Sequence, residues 1–245
     1  MNQTIDLLQG HRSIRKFKPT ALTEEQIQTI VHSAQMASSS SNIQAYSVIG
    51  VTDPALKKQL AHLAGDQNYV EECGLFLVWC ADLYRLQQAC AKHGVEMQKQ
   101  YVESFLVATV DVSLAAQNAA LAAESLGLGI VYIGGIRQNP AGVTELLNLP
   151  QLVFPVFGMC VGVPDQEPSP RPRLSRDAVY HENTYRTSQI TAGIDNYDQT
   201  MHDYYRERSG GKLDTNWSKQ ISEKYAHPSR AHLRAFLDDQ GFGFE

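Results

Sequence analysis

The apolar positions of the chain recur first at helical and then at strand spacing. Residues 23–38 carry an apolar stripe that includes Ile30 and Ala34, and they begin with TEEQ, the sequence of a capping box. The apolar stretch AYSVIGV that follows has the length of a strand. Next comes DPALKKQLAHL, in which Asp53 can cap a helix whose first turn contains Pro54. This part of the chain therefore predicts helix, strand and helix in succession.

Two longer apolar segments indicate a core. The run LFLVWCA, residues 75–81, is typical of a central strand that is buried on both faces. Residues 104–129 are apolar nearly all round and predict one long buried helix. Polar residues such as Asp111 and Glu124 interrupt this helix, and a bilayer would penalise them. A core or subunit-interface helix is therefore favoured over a membrane span.

The remaining patterns complete an α+β fold with a mixed sheet flanked by helices. IVYI and FPVFGMCVGVP are strand-like, and a helix opens at Asn139. The proline-rich segment DQEPSPRPR predicts an extended surface stretch or a plain linker. Beyond it, YDQTMHDYYRER and WSKQISEKYA are helical patterns that a flexible SGGKLDT turn separates. We predict one domain, residues 1–245, in which residues 164–245 form an extended segment and a helical excursion around the core.

Charge and composition exclude several classes of partner. The 245 residues include 21 basic and 26 acidic ones, so no chain-wide attraction for nucleic acid or anionic lipid is expected. The sequence MNQTIDLLQG lacks the features of a signal peptide, and we expect a cytoplasmic protein with no membrane partner.

The four cysteines form no C-x-x-C pair and are expected to be reduced and mostly buried. The histidines show no metal-binding spacing, so no metal site is predicted.

Three loops carry candidate chemistry. HRSIRKFKP, residues 11–19, gathers basic groups and a hydroxyl that can converge on an anion, although a solvated basic face is the alternative. SSSSN, residues 38–42, offers hydroxyls near a sheet edge, or a simple turn. The two glycines of YIGGIR allow the backbone to approach a flat ligand, or form a plain strand-to-helix turn. The chain has no G-x-G-x-x-G, G-x-x-x-x-G-K or G-x-S-x-G motif, so its reactivity would come from an organic cofactor.

Seven motifs together resemble the nitroreductase-like flavoprotein family, specifically its NADPH-dependent oxygen-insensitive nitroreductase and flavin reductase group. The resemblance covers essentially the whole chain and rests on HRSIRKF, SSSSNIQ, DQNYVEEC, AAQNAALAAESLGLGIVYIGGIR, PRPRL, HENTY and YYRERSGGKLDTNWS. It implies FMN held noncovalently in a homodimer, with the long central helix at the dimer interface and each flavin between the subunits. NADPH would be a transient electron donor.

The resemblance also assigns roles to individual residues. Those that would hold the FMN phosphate and ribityl chain are His11, Arg12, Ser13, Ser39, Arg171 and Arg173. Those that would meet or line the isoalloxazine ring are Arg15, Gln67, Tyr132, Ile133, Gly134 and Gly135. Those that would grip the NADPH phosphates are Arg208 and Lys212, and those of the acceptor pocket are Ser41, Asn42 and Tyr205. The chemistry would take place at flavin N5, and Arg15 would support it by stabilising negative charge on the reduced ring.

The implied function is an FMN-dependent NADPH oxidoreductase that passes two electrons, by a ping-pong mechanism, to nitroaromatics, quinones, free flavin or related small acceptors. Lys212 stands where the family suggests a forked arginine, which leaves the preference for NADPH over NADH open. Asn42 replaces a bulkier apolar residue of some relatives, which leaves the choice of acceptor open. The alternative is a non-catalytic flavin-binding or interaction protein on the same fold.

Overall fold

The computed structural model describes residues 2–98 and 101–244, which divide into two compact units. The first unit comprises the chain up to Ser169 together with the segment from His232 onward, and the second comprises residues 170–231. The last helix of the chain therefore belongs to the first unit again. Only residues 170–231 of the predicted excursion form a unit of their own, and the single-domain organisation stays a prediction.

The first unit contains the sheet and most of the helices. In chain order its elements are α1 Gln3–Gln9, α2 Glu24–Gln35, β1 Tyr46–Val51, α3 Pro54–Leu63, α4 Asn68–Glu72, β2 Leu75–Asp82, α5 Tyr84–Ala91, α6 Val102–Ser125, β3 Gly129–Ile133, α7 Pro140–Leu146 and β4 Val153–Gly162. The second unit then contributes α8 Arg176–Val179, α9 Ile190–Ser209 and α10 Trp217–Tyr225, and α11 Leu233–Asp239 follows in the first unit. Single 3₁₀ turns span Ser40–Asn42, Gly134–Arg137 and Thr187–Gln189.

Local sequence signals placed several elements correctly. At the start of α2, the Gln26 amide donates to Thr23 Oγ1 at 3.2 Å and the Thr23 amide donates to Gln26 Oε1 at 2.9 Å, which is the predicted capping box. Asp53 caps α3 by accepting from the Leu56 amide at 2.8 Å. All eight residues of β2 are buried. The predictions for these three elements are confirmed, and three of the four cysteines are buried, as the sequence predicted.

The sheet has the strand order β1-β2-β4-β3, and its neighbouring strands are antiparallel. The predicted mixed sheet is therefore not formed by these strands. β2 and β3 do run in the same direction, but β4 lies between them. Parallel pairing in the described residues is limited to the isolated bridge between Ser13 and Ile130. That bridge fastens the N-terminal basic segment to the sheet.

Helix α6 is buried along one face and not on all sides. Its buried face is lined mainly by alanines, such as Ala115, Ala116 and Ala119, which permit close packing in the core. On the opposite face Leu106, Val110 and Leu114 recur every four residues and are 43–53% exposed in the single chain. By length and composition α6 is also the one helix of the described residues that reaches the threshold for a membrane span, a test that core helices pass as well.

Candidate functional site

The basic segment after α1 is extended and lies beside β3. Its apolar members, Ile14 and Phe17, are 7% exposed, and the Ile14 amide donates to Ile130 O at 2.8 Å. The approach is close because a Cβ atom at Gly129 would lie 2.6 Å from the Ile14 side chain. These anchors leave Arg12 and Ser13 half-buried and Arg15 exposed. The two apolar side chains thus anchor the segment, while the polar side chains between and before them remain more accessible.

Arg12 carries a hydrogen-bond donor that the described residues do not satisfy. Its Nε is buried and has no partner among them, while its Nη1 lies 3.4 Å from the 88% exposed carboxylate of Glu167. A buried N–H without an acceptor costs about 1–3 kcal/mol, more when the group is charged. An anionic oxygen at this point would remove that cost. Arg12 therefore favours an anion site over a solvated basic face.

Glu124, in the last turn of α6, fixes His11. Its Oε1 lies 2.6 Å from His11 Nδ1, and its side chain is only 13% exposed. One ring nitrogen of His11 is therefore occupied within the protein, and Nε2 is the nitrogen left for a ligand. Burial raises the pKa of the Tyr132 phenol, and the charge of Glu124 raises it further, so this tyrosine stays protonated. Sequence reasoning treated Glu124 only as an interruption of an apolar helix.

The SSSSNIQ segment forms a tight loop between α2 and β1. Ser39 Oγ donates to Asp111 Oδ2 at 2.9 Å and accepts from the Gln44 amide at 2.7 Å. Ser41, Asn42 and Gln44 all have left-handed backbone conformations, with φ between 46° and 58°. Non-glycine residues rarely adopt such conformations, so the loop is strained. The predicted cofactor residue Ser39 and the pocket residues Ser41 and Asn42 thus share one hydrogen-bonded loop.

The two glycines of YIGGIR lie in the 3₁₀ turn directly after β3. A Cβ atom on Gly135 would lie 2.2 Å from Ala64 O and 2.3 Å from Gln67 Nε2, so only glycine fits there. Gln67 is itself held in place, since its Nε2 donates to Ala64 O at 2.7 Å and its Oε1 accepts from the Tyr69 hydroxyl. The structure therefore brings the predicted ring contacts Gln67 and Gly135 together.

Ile133 differs from the other residues assigned to the ring. Its side chain is 1% exposed and belongs to the core of the first unit. At Gly134, by contrast, a Cβ atom would meet only the Arg137 side chain, at 3.4 Å or more. Of these two positions, Ile133 offers a ligand only its backbone, while Gly134 has room in front of it.

In the second unit, Arg171 and Tyr205 are hydrogen-bonded partners. Arg171 Nη2 donates to the Tyr205 hydroxyl at 2.9 Å, and that hydroxyl donates to Gln220 Oε1 at 3.1 Å. Tyr205 is only 7% exposed, so it anchors Arg171 within this unit. Gln220 was not among the predicted residues, and nothing in the local pattern of α10 marks it. Burial raises the pKa of the Tyr197 phenol, and the nearby charges of Arg171 and Arg173 offset part of that rise.

The predicted nucleotide residues lie around the C-terminal end of α9. Arg208 Nη1 donates to the Tyr204 hydroxyl at 3.1 Å, and Lys212 is exposed. Gly210 and Gly211 between them have φ of 61° and 83°, conformations that glycine adopts without strain. A Cβ atom added to either glycine would meet no described neighbour within 4 Å, so the turn is open.

The residues of the first unit fit FMN. A phosphate needs donors such as Arg12 Nε and the Ser13 hydroxyl, and a flat ring needs a backbone that lacks side chains, which the turn at Gly134 and Gly135 provides. Metal chemistry has no comparable support, because the described ranges hold no group of three His, Cys, Asp or Glu side chains that could bind an ion.

Known proteins are similar to this chain along nearly its whole length. The model of the nitroreductase family matches residues 8–163, and that of the nitroreductase family C-terminal domain matches residues 171–245. The chain is 48% identical to an FMN reductase (NADPH) of Bacillus subtilis, over 99% of both chains, and 44% identical to an NADPH-flavin oxidoreductase of Vibrio harveyi, over 98% of both. The solved NfrA1 nitroreductase of B. subtilis superposes with a TM-score of 0.95 at 48% identity, covering 98% of this chain and 99% of that one. The chain belongs to the nitroreductase family.

Proposed function

We propose that the protein is an FMN-dependent oxidoreductase that takes electrons from NADPH and passes two of them, by a ping-pong mechanism, to a small acceptor. The enzyme class follows from relatives of nearly equal length whose names specify FMN or flavin reduction by NADPH. The observation in this chain that carries the proposal is the buried, unpartnered Nε of Arg12 beside Ser13 and His11. A bound phosphate would supply the hydrogen-bond acceptor that this nitrogen lacks.

The first unit supplies groups for both ends of FMN. Arg12 and Ser13 would bind the phosphate, and His11, oriented by Glu124, would add a donor or acceptor through Nε2. Gln67 and the glycine turn would lie along the ring. When bound, FMN supplies the redox chemistry, because it accepts a hydride from NADPH and later yields two electrons. Arg15 would favour the reduced form by placing a positive charge near N1 and O2.

The second unit supplies the proposed nucleotide contacts. Arg208 and the exposed Lys212 would bind the NADPH phosphates, and the open turn at Gly210 and Gly211 would let the nucleotide enter and leave. Lysine is a point charge and not a planar fork, so we expect Lys212 to give a weak preference for NADPH over NADH. Arg171 and Arg173 keep the phosphate-binding role predicted for them, and Tyr205 keeps its place in the acceptor pocket as a prediction.

Two further features belong to the proposal. The acceptors are nitroaromatics, quinones or free flavin, since a loop with polar Ser41 and Asn42 does not select one apolar shape. The protein is a homodimer that buries the exposed face of α6, where Leu106, Val110 and Leu114 would otherwise remain in water. A cytoplasmic location without nucleic-acid or membrane partners stays a prediction.

Initial rates test the proposed mechanism. NADPH oxidation is measured at several fixed concentrations of a quinone, with the protein saturated with FMN. Parallel double-reciprocal lines are expected, because oxidised nucleotide leaves before the acceptor enters. Intersecting lines would replace the ping-pong mechanism with a ternary complex. Absence of NADPH oxidation with quinone, nitroaromatic and free flavin alike would favour the alternative of a non-catalytic flavin-binding protein.

A further inference from the structure

We propose that Asp111, a buried carboxylate in the middle of α6, is the positioning residue that shapes the loop from Ser39 to Ala45 for FMN and the acceptor. The inference rests on the proposed function, because Ser39, Ser41 and Asn42 are the residues of this loop assigned to cofactor and acceptor. Asp111 itself has no role in the resemblance described above. Its role is inferred from its hydrogen bonds, its burial and the backbone conformation of the loop.

Both oxygens of Asp111 are used by the loop. Oδ2 accepts from Ser39 Oγ at 2.9 Å and from the Ala45 amide at 3.0 Å, and Oδ1 accepts from the Ser40 amide at 3.0 Å. The side chain is 1% exposed, and no cation lies within 4 Å of it in the part of the chain that the structure describes. These three donors are therefore what compensates the burial of its charge.

The surroundings of Asp111 show that α6 does not need a carboxylate for packing. Ala108, Val112 and Ala115, its neighbours on the same buried face, are fully buried and apolar. A charged side chain in this row costs desolvation energy that an apolar residue would not. The presence of a carboxylate at this position is explained by the three hydrogen bonds that it accepts from the loop.

The loop needs such an anchor because its backbone is strained. Three of its non-glycine residues, Ser41, Asn42 and Gln44, have positive φ, a conformation that a free loop would leave. Asp111 binds the loop at Ser39 and Ser40 on one side of the strained residues and at Ala45 on the other. Both ends are thereby fixed to one carboxylate, and the residues between them are kept in their left-handed conformations.

The anchor also determines how Ser39 can meet a ligand. A serine hydroxyl has one hydrogen to donate, and that of Ser39 is given to Asp111, while one of its lone pairs accepts from the Gln44 amide. Ser39 Oγ can therefore accept a hydrogen bond from a ribityl hydroxyl, but it cannot donate to a phosphate oxygen. This narrows the role predicted for Ser39 to the ribityl chain.

The test is Asp111→Asn in the full chain, which keeps the shape of the side chain but removes its charge and one acceptor. An asparagine has a single oxygen, so at least one of the Ser40 and Ala45 amides would face an N–H group. The matched control is Val112→Ala, which weakens the same buried face of α6 and leaves the loop bonds intact. Thermal unfolding measures how far each variant is destabilised.

The decisive readouts are the Kd of FMN, from fluorescence quenching on titrating the apoprotein, and the KM for a quinone. For Asp111→Asn we expect both to rise on the order of 10-fold, while Val112→Ala leaves both within about two-fold of wild type at a similar loss of Tm. Unchanged constants in Asp111→Asn, or equal changes in both variants, would overturn the proposal. A wild-type protein that binds no FMN would instead overturn the proposed function.

A second variant covers the case in which Asp111→Asn does not fold. Ser39→Ala removes one of the three donors from the loop side and leaves the core of α6 untouched. We expect a smaller rise in the same two constants, together with faster amide hydrogen exchange at Ser40 and Ala45. Wild-type values of both constants together with wild-type protection of these two amides would contradict the proposal, because losing one of the three bonds to Asp111 would then leave the loop and its ligands unaffected.

Discussion

Replacing Gly135 by alanine would force apart two segments of the first unit that now touch. The added Cβ atom would lie 2.2 Å from the carbonyl oxygen of Ala64 and 2.3 Å from Gln67 Nε2. A backbone oxygen cannot rotate away from it, so either the turn after β3 or the end of α3 must shift. The bond from Gln67 Nε2 to Ala64 O, at 2.7 Å, lies at the point of the clash and would be lost or lengthened.

The expected cost follows from these contacts. Overpacking a tight site by one methyl group costs about 1–3 kcal/mol. For a chain of this length, each kcal/mol lowers Tm by about 2–4 °C. We therefore expect Gly135→Ala to melt about 2–12 °C below wild type in the apoprotein. Affinity for FMN should fall as well, since Gln67 and the turn are the proposed ring contacts.

The neighbouring glycine provides a matched control. A Cβ atom on Gly134 would meet only the end of the Arg137 side chain at 3.4 Å, an ordinary contact. Gly134→Ala should therefore leave the Tm of the apoprotein within about 1 °C of wild type, while the new methyl group still weakens FMN binding. Differential scanning calorimetry of both apoproteins makes the comparison. Equal melting temperatures for the two variants would show that the close approach at Gly135 does not limit stability.

Four further substitutions test the site and the assembly. Arg12→Lys removes the Nε donor but keeps the charge, so the Kd of FMN by fluorescence titration should rise about 10- to 100-fold, and an unchanged Kd would exclude Arg12 from the phosphate site. Arg208→Ala should raise the KM for NADPH with little change in kcat. Lys212→Arg should increase kcat/KM for NADPH relative to kcat/KM for NADH. Steady-state kinetics that show neither effect would exclude this turn from nucleotide binding. Val110→Lys, on the exposed face of α6, should yield folded monomers in analytical ultracentrifugation, and a persistent dimer would place the interface elsewhere.

The features that could be predicted from the sequence are those set by residues close together in the chain. The capping box of Thr23 and Gln26, the cap at Asp53 and the continuous burial of β2 are all set within a few positions of the chain. The apolar pattern of residues 104–129 predicted the long helix, and the seven motifs added the family and the flavin chemistry. Hydrophobic periodicity could not show that α6 leaves one apolar face uncovered, because an all-round apolar pattern is the same for a core helix and for an interface.

The sequence could not predict hydrogen bonds between residues that are far apart along the chain. Asp111 and Ser39 are 72 positions apart, and Glu124 and His11 are 113 apart, so no local spacing connects them. A signal was nevertheless present, because both carboxylates interrupt an otherwise apolar helix, and a buried charge needs a partner. The burial of Tyr205 between Arg171 and Gln220 gave no such signal, since α9 and α10 are polar along most of their length.

Anaerobic stopped-flow absorbance shows directly whether NADPH reduces the bound flavin. The FMN-loaded protein is mixed with NADPH in one series and with NADH in another, and the visible flavin band is followed in the absence of any acceptor. An FMN-dependent NADPH oxidoreductase is expected to show rapid bleaching by NADPH, slower bleaching by NADH, and recovery of the band when a quinone is added afterwards. Absence of bleaching with either nucleotide would contradict this function, and the protein would then be a flavin-binding member of the family that NADPH does not reduce.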